Sequence, residues 1–260
     1  MKQNIFHSLL IFAAALCLFS CEKNTYKLTE RISNEGAAQV KLGYFSAYAV
    51  QPSTILYVND KPVSNTLTAP VSFPGGGFNM IGLGNGDYLL VTPGTTKIQG
   101  FIPIPGTGNI GTKLFEFNQI FNANSNYTFF ITDTSANTTG FSIEDSKAAP
   151  DSGFARLKFV NAIPNLSAVD LYKGANNAAA TLFQANIAFK GMSASFDLPV
   201  PVSDSFFIRP AGALITTTPI ARRAWAANLT NKRIYTMLAR GYNGATLPNL
   251  LPQLSIIVNQ

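Results

Sequence analysis

The sequence predicts an all-β protein, arranged as two tandem β-sandwich domains behind a lipoprotein signal peptide. Four observations predict it. Only 12% of the 260 residues are charged, about half the usual share of ~25%. The 20 Gly, 15 Pro and 20 Phe describe short strands joined by turns, with a surface of Asn, Ser and Thr. Apolar and polar residues alternate over short runs closed by turn signals, the pattern of a sandwich or barrel. Finally, residues 154–174, FARLKFVNAIPNLSAVDLYKG, read as a strand, a turn and a second strand, and a weaker copy of this opening starts near Ala38.

Taken in order, residues 1–20 read as a leader. Lys2 supplies the positive start, and the apolar run of residues 5–19 is too short for a membrane span. The run ends in Leu18-Phe19-Ser20-Cys21. This ending resembles the bacterial lipoprotein signal, in which a small residue precedes the cysteine. The resemblance implies that Cys21 becomes diacylglyceryl-modified and starts the mature chain. Several acyl chains hold a membrane far better than the single chain that anchors marginally. Residues 21–36 are polar and read as a tether.

The first sandwich is expected over residues 37–149. Val40, Leu42 and Tyr44 alternate with Lys41 and Gly43, as in a strand with one buried face. Further strands are expected at residues 53–59, 88–92, 97–102, 113–120, 127–132 and 141–143. Residues 144–153, EDSKAAPDSG, read as a linker. The second sandwich, residues 150–260, repeats the first. Ala38-Gln39-Val40-Lys41-Leu42 lines up with Ala155-Arg156-Leu157-Lys158-Phe159, and Asn126-Tyr127-Thr128-Phe129-Phe130 with Ile234-Tyr235-Thr236-Met237-Leu238. Tyr88-Leu89-Leu90-Val91 is set against Phe206-Phe207-Ile208-Arg209, Phe117 against Trp225, and Phe141-Ser142-Ile143 against Leu254-Ser255-Ile256.

Cysteine and histidine usage removes whole classes of chemistry. Cys17 and His7 leave with the leader and Cys21 is lipidated, so the mature chain carries no thiol, disulfide or imidazole. That excludes Ser-His and Cys-His nucleophiles, zinc sites built on Cys or His, and haem held by either. No cofactor is expected. The net charge of +6 is modest and scattered, whereas a nucleic-acid-binding protein concentrates its basic residues on one face.

The run Ala155 to Ala162, the segment Val169-Asp170-Leu171-Tyr172-Lys173-Gly174 and the later Tyr235-Thr236 resemble the bacterial domain-of-unknown-function family numbered 4397. The second unit carries the closer likeness. In the first, Leu56 stands where Asp170 does, and the Asn-Ala-x-Pro turn is missing. The resemblance implies immunoglobulin-like sandwiches, often in tandem, in secreted or lipid-anchored proteins, and it implies no activity.

Few residues suggest chemistry. Gly106-Thr107-Gly108-Asn109-Ile110-Gly111 matches the dinucleotide fingerprint in letters, but a strand follows where that motif needs a helix, so a hairpin turn is expected. Glu144, Asp145 and Asp151 cluster at the expected domain junction, as calcium ligands or as a solvated acidic linker. Arg222, Arg223, Trp225, Lys232 and Arg233 mix charge with an aromatic, and Trp225 is expected in the core. Tyr127 and Tyr235 are placed to bond upstream backbone, as a corner tyrosine does. The Gly-rich loop from Phe73 to Phe78 is the expected ligand surface. The expected function is a non-catalytic outer-membrane lipoprotein with a binding, adhesion or structural role. Its partners are the membrane, through the anchor, and a glycan or an envelope or host protein. The alternatives are a hydrolase using carboxylates alone and a scaffold subunit of an envelope complex.

Overall fold

In a computed structural model the described residues are 35–47, 53–75, 78–79, 86–107, 109–133, 137–224 and 229–260. All belong to one compact unit, Ser33–Gln260. The strands of the first half are β1 (Ala38–Tyr44), β2 (Ile55–Val58), β3 (Lys61–Pro62), β4 (Val71–Phe73), β5 (Leu89–Val91), β6 (Gly94–Pro103), β7 (Ile110–Phe121), β8 (Asn126–Thr132) and β9 (Thr139–Glu144). Those of the second are β10 (Phe154–Asn161), β11 (Ala168–Gly174), β12 (Thr181–Ala188), β13 (Phe196–Pro199), β14 (Ser205–Pro210), β15 (Ala221–Ala224), β16 (Ile234–Arg240) and β17 (Gln253–Val258). No α-helix occurs among the described residues, so the all-β expectation holds.

The strands form four sheets, two in each half. The first half has β4-β1-β8-β9, with β5 also on β1, and β3-β2-β6-β7; the second has β13-β10-β16-β17 and β12-β11-β14-β15. In both halves the opening strand runs parallel to the penultimate one. Val40 pairs with Tyr127 and Lys41 with Thr128, as Leu157 pairs with Tyr235 and Lys158 with Thr236. This is the residue-by-residue match expected from the sequence.

Two other alignments change. β13 pairs with Phe154–Leu157 at the place where β5 pairs with Ala38–Val40. The counterpart of Leu89–Val91 is therefore β13, and β14 answers to β6. Short apolar runs look alike, so hydrophobicity alone slides by a whole strand. At the end of each half, Thr128 pairs with Ile143 and Thr236 with Ile257. Ile143 therefore answers to Ile257, one residue on from the expected Ile256, and a one-residue slip exchanges the two faces of a strand.

Alternation explains three apolar clusters. Val40, Leu42, Tyr44, Tyr127, Phe129 and Ile131 face the core between the first two sheets. Leu157, Phe159, Tyr235, Met237, Ile256 and Val258 do the same in the second half. The opposite faces supply a third cluster, with Phe45, Phe130 and Ile143 from the first half against Val160, Ala162, Leu238 and Ile257 from the second. The two halves thus share a buried interface. Both corner tyrosines behave alike: the Tyr127 hydroxyl accepts the Asn122 N–H at 3.3 Å and the Tyr235 hydroxyl accepts the Thr230 N–H at 2.9 Å.

Candidate functional site

The interface between the halves holds a cluster of buried polar side chains, Lys41, Asp145 and Asn259 among them, and β1 starts it. With Val40 and Leu42 turned to the core, Lys41 must project from the other face of its sheet. There it meets the second half and is fully buried. Its Nζ donates to the Val258 carbonyl at 2.5 Å and stands 4.4 Å from the centre of the Tyr88 ring. A Cβ on Gly86 would lie 1.9 Å from the Val258 oxygen and 2.6 Å from Lys41 Nζ. Glycine is what lets the backbone approach this closely.

Asp145, just past β9, completes the cluster. It is 5% exposed, and its Oδ2 accepts the Tyr88 hydroxyl at 3.0 Å and the Thr128 hydroxyl at 2.8 Å. Asn259, also 5% exposed, hydrogen-bonds the Tyr88 hydroxyl. A cavity of about 10 Å³ is lined by Asp145 and Asn259 together with Ser146, Arg156 and Thr236. Asp145 Oδ1 and Asn259 Oδ1 have no hydrogen-bond partner. Outside it, an open cleft of about 460 Å³ runs past Gln39, Gly86, Tyr88, Asn126, Lys147 and Asn259.

Burial sets the charges here. Loss of solvent lowers the Lys41 ammonium to about 8, against the attraction of Asp145 and Asp87. The same effect lifts the Asp145 carboxyl to about 6, opposed by Lys41 and by the hydrogen bonds from Thr128 and Tyr88. It also raises the Tyr88 hydroxyl, with Asp145 adding to the shift. Desolvation disfavours the charged form of an acid and of a base alike, so both groups move toward neutrality.

The residues singled out in the sequence fall elsewhere or change role. Glu144, Asp145 and Asp151 do not converge: Glu144 and Asp151 are exposed while Asp145 is buried. Among the described residues no group of three or more metal-capable side chains forms. Nor is the segment after β9 a free linker. Asp145 N–H donates to the Asn126 carbonyl at 2.7 Å, Lys158 Nζ to Glu144 O at 2.8 Å and Arg156 to Ala148 O at 2.9 Å.

Phe73 packs against the first core. Phe78 packs into the shared cluster, 5.4 Å from Phe45 and under the Arg240 guanidinium. Phe78 bridges to Ile257, and Asn79 N–H donates to the Ile256 carbonyl at 2.7 Å. Phe78 and Asn79 therefore act as a strap along the outer edge of β17, an edge that a sheet protein has reason to cover. Arg223 holds that strap through Asn79 Oδ1 at 3.1 Å, and Arg222 lies over Phe207. Gly106, at φ +75, and Thr107 lie in the turn between β6 and β7, as expected, while Ile110 and Gly111 open β7 and residue 108 lies outside the described residues. Cys21 and Trp225 lie outside the described residues.

The family described as Domain of unknown function (DUF4397) matches residues 40–172. The chain belongs to this family. The family match runs from β1 through the first half and ends within β11, so it covers the half that the sequence reading placed further from the pattern. No curated protein matches the chain. Among solved structures it is slightly similar to a leucine-rich repeat protein from Bacteroides thetaiotaomicron VPI-5482, at 14% identity and a TM-score of 0.17. That alignment covers 78% of this chain and 26% of the other, so the chain spans about a quarter of that protein.

Proposed function

We propose that this family member is a non-catalytic, lipid-anchored envelope protein, built of two tandem immunoglobulin-like sandwiches, that holds a protein ligand away from the membrane. The repeated sheet order and the paired corner tyrosines support the tandem reading, and the leader-like residues ahead of Cys21 support the anchor. The binding role rests on an open hollow of about 530 Å³ at the β6–β7 end of the first half, lined by Ile55, Ile102, Pro103, Ile104, Pro105 and Thr66. Ile104 is 43% exposed there. A mostly apolar hollow of this size with a few polar groups suits a ligand side chain. Among the described residues its lining has no aromatic platform of the kind that suits sugar rings, and Phe73 and Phe78 are occupied in packing. A protein segment is therefore favoured over a glycan.

The test is fatty-acid labelling of cells producing the wild-type chain or Cys21→Ala, followed by protease treatment of intact cells. Labelled wild type, unlabelled variant and cleavage on intact cells are expected. An unlabelled wild type ends the lipoprotein reading. A labelled chain that is cut only after the cells are opened replaces display with scaffolding inside the envelope.

A further inference from the structure

We propose that Lys41 and Asn259 join through an intramolecular isopeptide bond that fastens the first half of the molecule to the second. Three groups needed for such a reaction meet in one buried place. The nucleophile is the Lys41 amine, fully buried and held on the carbonyl of Val258, the residue before Asn259. The electrophile is the Asn259 carboxamide, tied to the Tyr88 hydroxyl. The acid is Asp145, whose Oδ2 is occupied by Tyr88 and Thr128, leaving Oδ1 as the oxygen free to act.

Two orphan atoms carry the argument. Asp145 Oδ1 and Asn259 Oδ1 are both buried without partners, and their residues line the same small cavity. Two acceptors cannot satisfy each other, and each orphan costs about 1–3 kcal/mol. A proton on Asp145 Oδ1 removes both penalties by donating to the Asn259 oxygen. That same hydrogen bond draws electrons from Cγ, as a donor aimed at a developing oxyanion does. Burial also favours the neutral amine, the form that carries the attacking lone pair.

The step balances without a further reagent. The Lys41 Nζ lone pair attacks Asn259 Cγ, and the Nζ–Cγ bond forms while the carbonyl electrons move onto Oδ1. Asp145 passes its Oδ1 proton to the Asn259 oxygen, takes a proton from Nζ in its place and delivers that one to Nδ2, and the first proton returns to Asp145 as the oxyanion collapses. The carbonyl reforms, the Cγ–Nδ2 bond breaks and ammonia leaves. Asp145 ends in the protonation state in which it began. Nothing is oxidised or reduced, and no co-reactant is consumed. Holding the amine on the Val258 carbonyl, one residue before the amide, supplies the proximity that an intermolecular aminolysis lacks.

The inference is independent of ligand and anchor, so it stands or falls apart from the proposed function. The full chain is purified in detergent and digested with trypsin, and the peptides bearing Lys41 and Asn259 are weighed. A branched peptide is expected, lighter than its two parts by one ammonia and uncut after Lys41. Lys41→Met and Asp145→Asn should each yield two separate peptides. Separate wild-type peptides, with Lys41 unmodified and Asn259 intact or hydrolysed to aspartate, overturn the proposal. A branched peptide from Asp145→Asn overturns the part given to Asp145. The wild-type readout decides the main point even where a variant folds poorly.

Discussion

Lys41 and Lys158 occupy the same place in the two halves, yet they live in different surroundings. Each stands in the opening strand between two core-facing residues, and each pairs in register with a threonine of the parallel neighbour. Lys41 is fully buried, with its amine on Val258. Lys158 is half-buried, with its amine on the Glu144 carbonyl. The two tyrosines one position before those threonines do not diverge at all, since both make the same upstream bond. An inner face is settled by its own strand's alternation, whereas an outer face takes its character from whatever docks on it.

The sharpest way to break this comparison is to remove both lysines in turn. In an Asn259→Ala chain, where no amide forms, Lys41→Met leaves Asp145 buried without its compensating charge and should cost about 3–5 kcal/mol. Lys158→Met should stay within about 0.5 kcal/mol. Denaturant unfolding measures both, and equal losses would mean that the two sites are equivalent after all.

The pH dependence sharpens it further, in an Asn259→Ala chain where no amide forms and both groups titrate. The Asp145 pKa of about 6 lies above its usual 3.8, so its stabilising contribution is full below about 4 and lost as pH rises through 6. The Lys41 pKa of about 8 lies below its usual 10.5. The unfolded chain therefore binds more protons between those values, and stability recovers as pH rises across them. Unfolding curves from pH 4 to 10 should show the interface weakest between about 6 and 8. A Lys41→Met, Asp145→Leu double variant should flatten the dip.

Glycines offer a smaller contrast. Gly86→Ala drives a methyl against the Val258 carbonyl and should cost about 1–3 kcal/mol. Gly75→Ala meets nothing within 4 Å and should change the melting temperature little. Smallest of all, Tyr127→Phe and Tyr235→Phe should each lose about 1 kcal/mol. A clear inequality between them would show that the corners are not structurally equivalent.

What the sequence discloses follows the same division. Strand positions such as Val40 to Tyr44 and the register of Tyr127 with Tyr235 were legible because they depend on local alternation and on a side chain with one long reach. The β6–β7 hairpin was legible because its glycines are followed by strand residues. Asp145 was not, because Glu-Asp-Ser beside Lys and Pro has the composition of a solvated linker, and only the packing of the second half buries it. The packing of Phe73 and Phe78 was hidden for a related reason: Gly-rich aromatic loops look alike whether they greet a ligand or cover a sheet edge. Asn259 gave no signal at all, since one asparagine among many is distinguished only by its neighbours in space.

β1 has a mechanical consequence. It is gripped on both sides, by β8 through six parallel register pairs and by β4 and β5 through three each. A pull applied ahead of Ala38 along the strand must shear those pairs together, since none can open singly as in a peeled hairpin. A bond from Lys41 would then carry the load past Leu42 and the strands beyond it, straight to the last strand, and leave the intervening chain slack under tension.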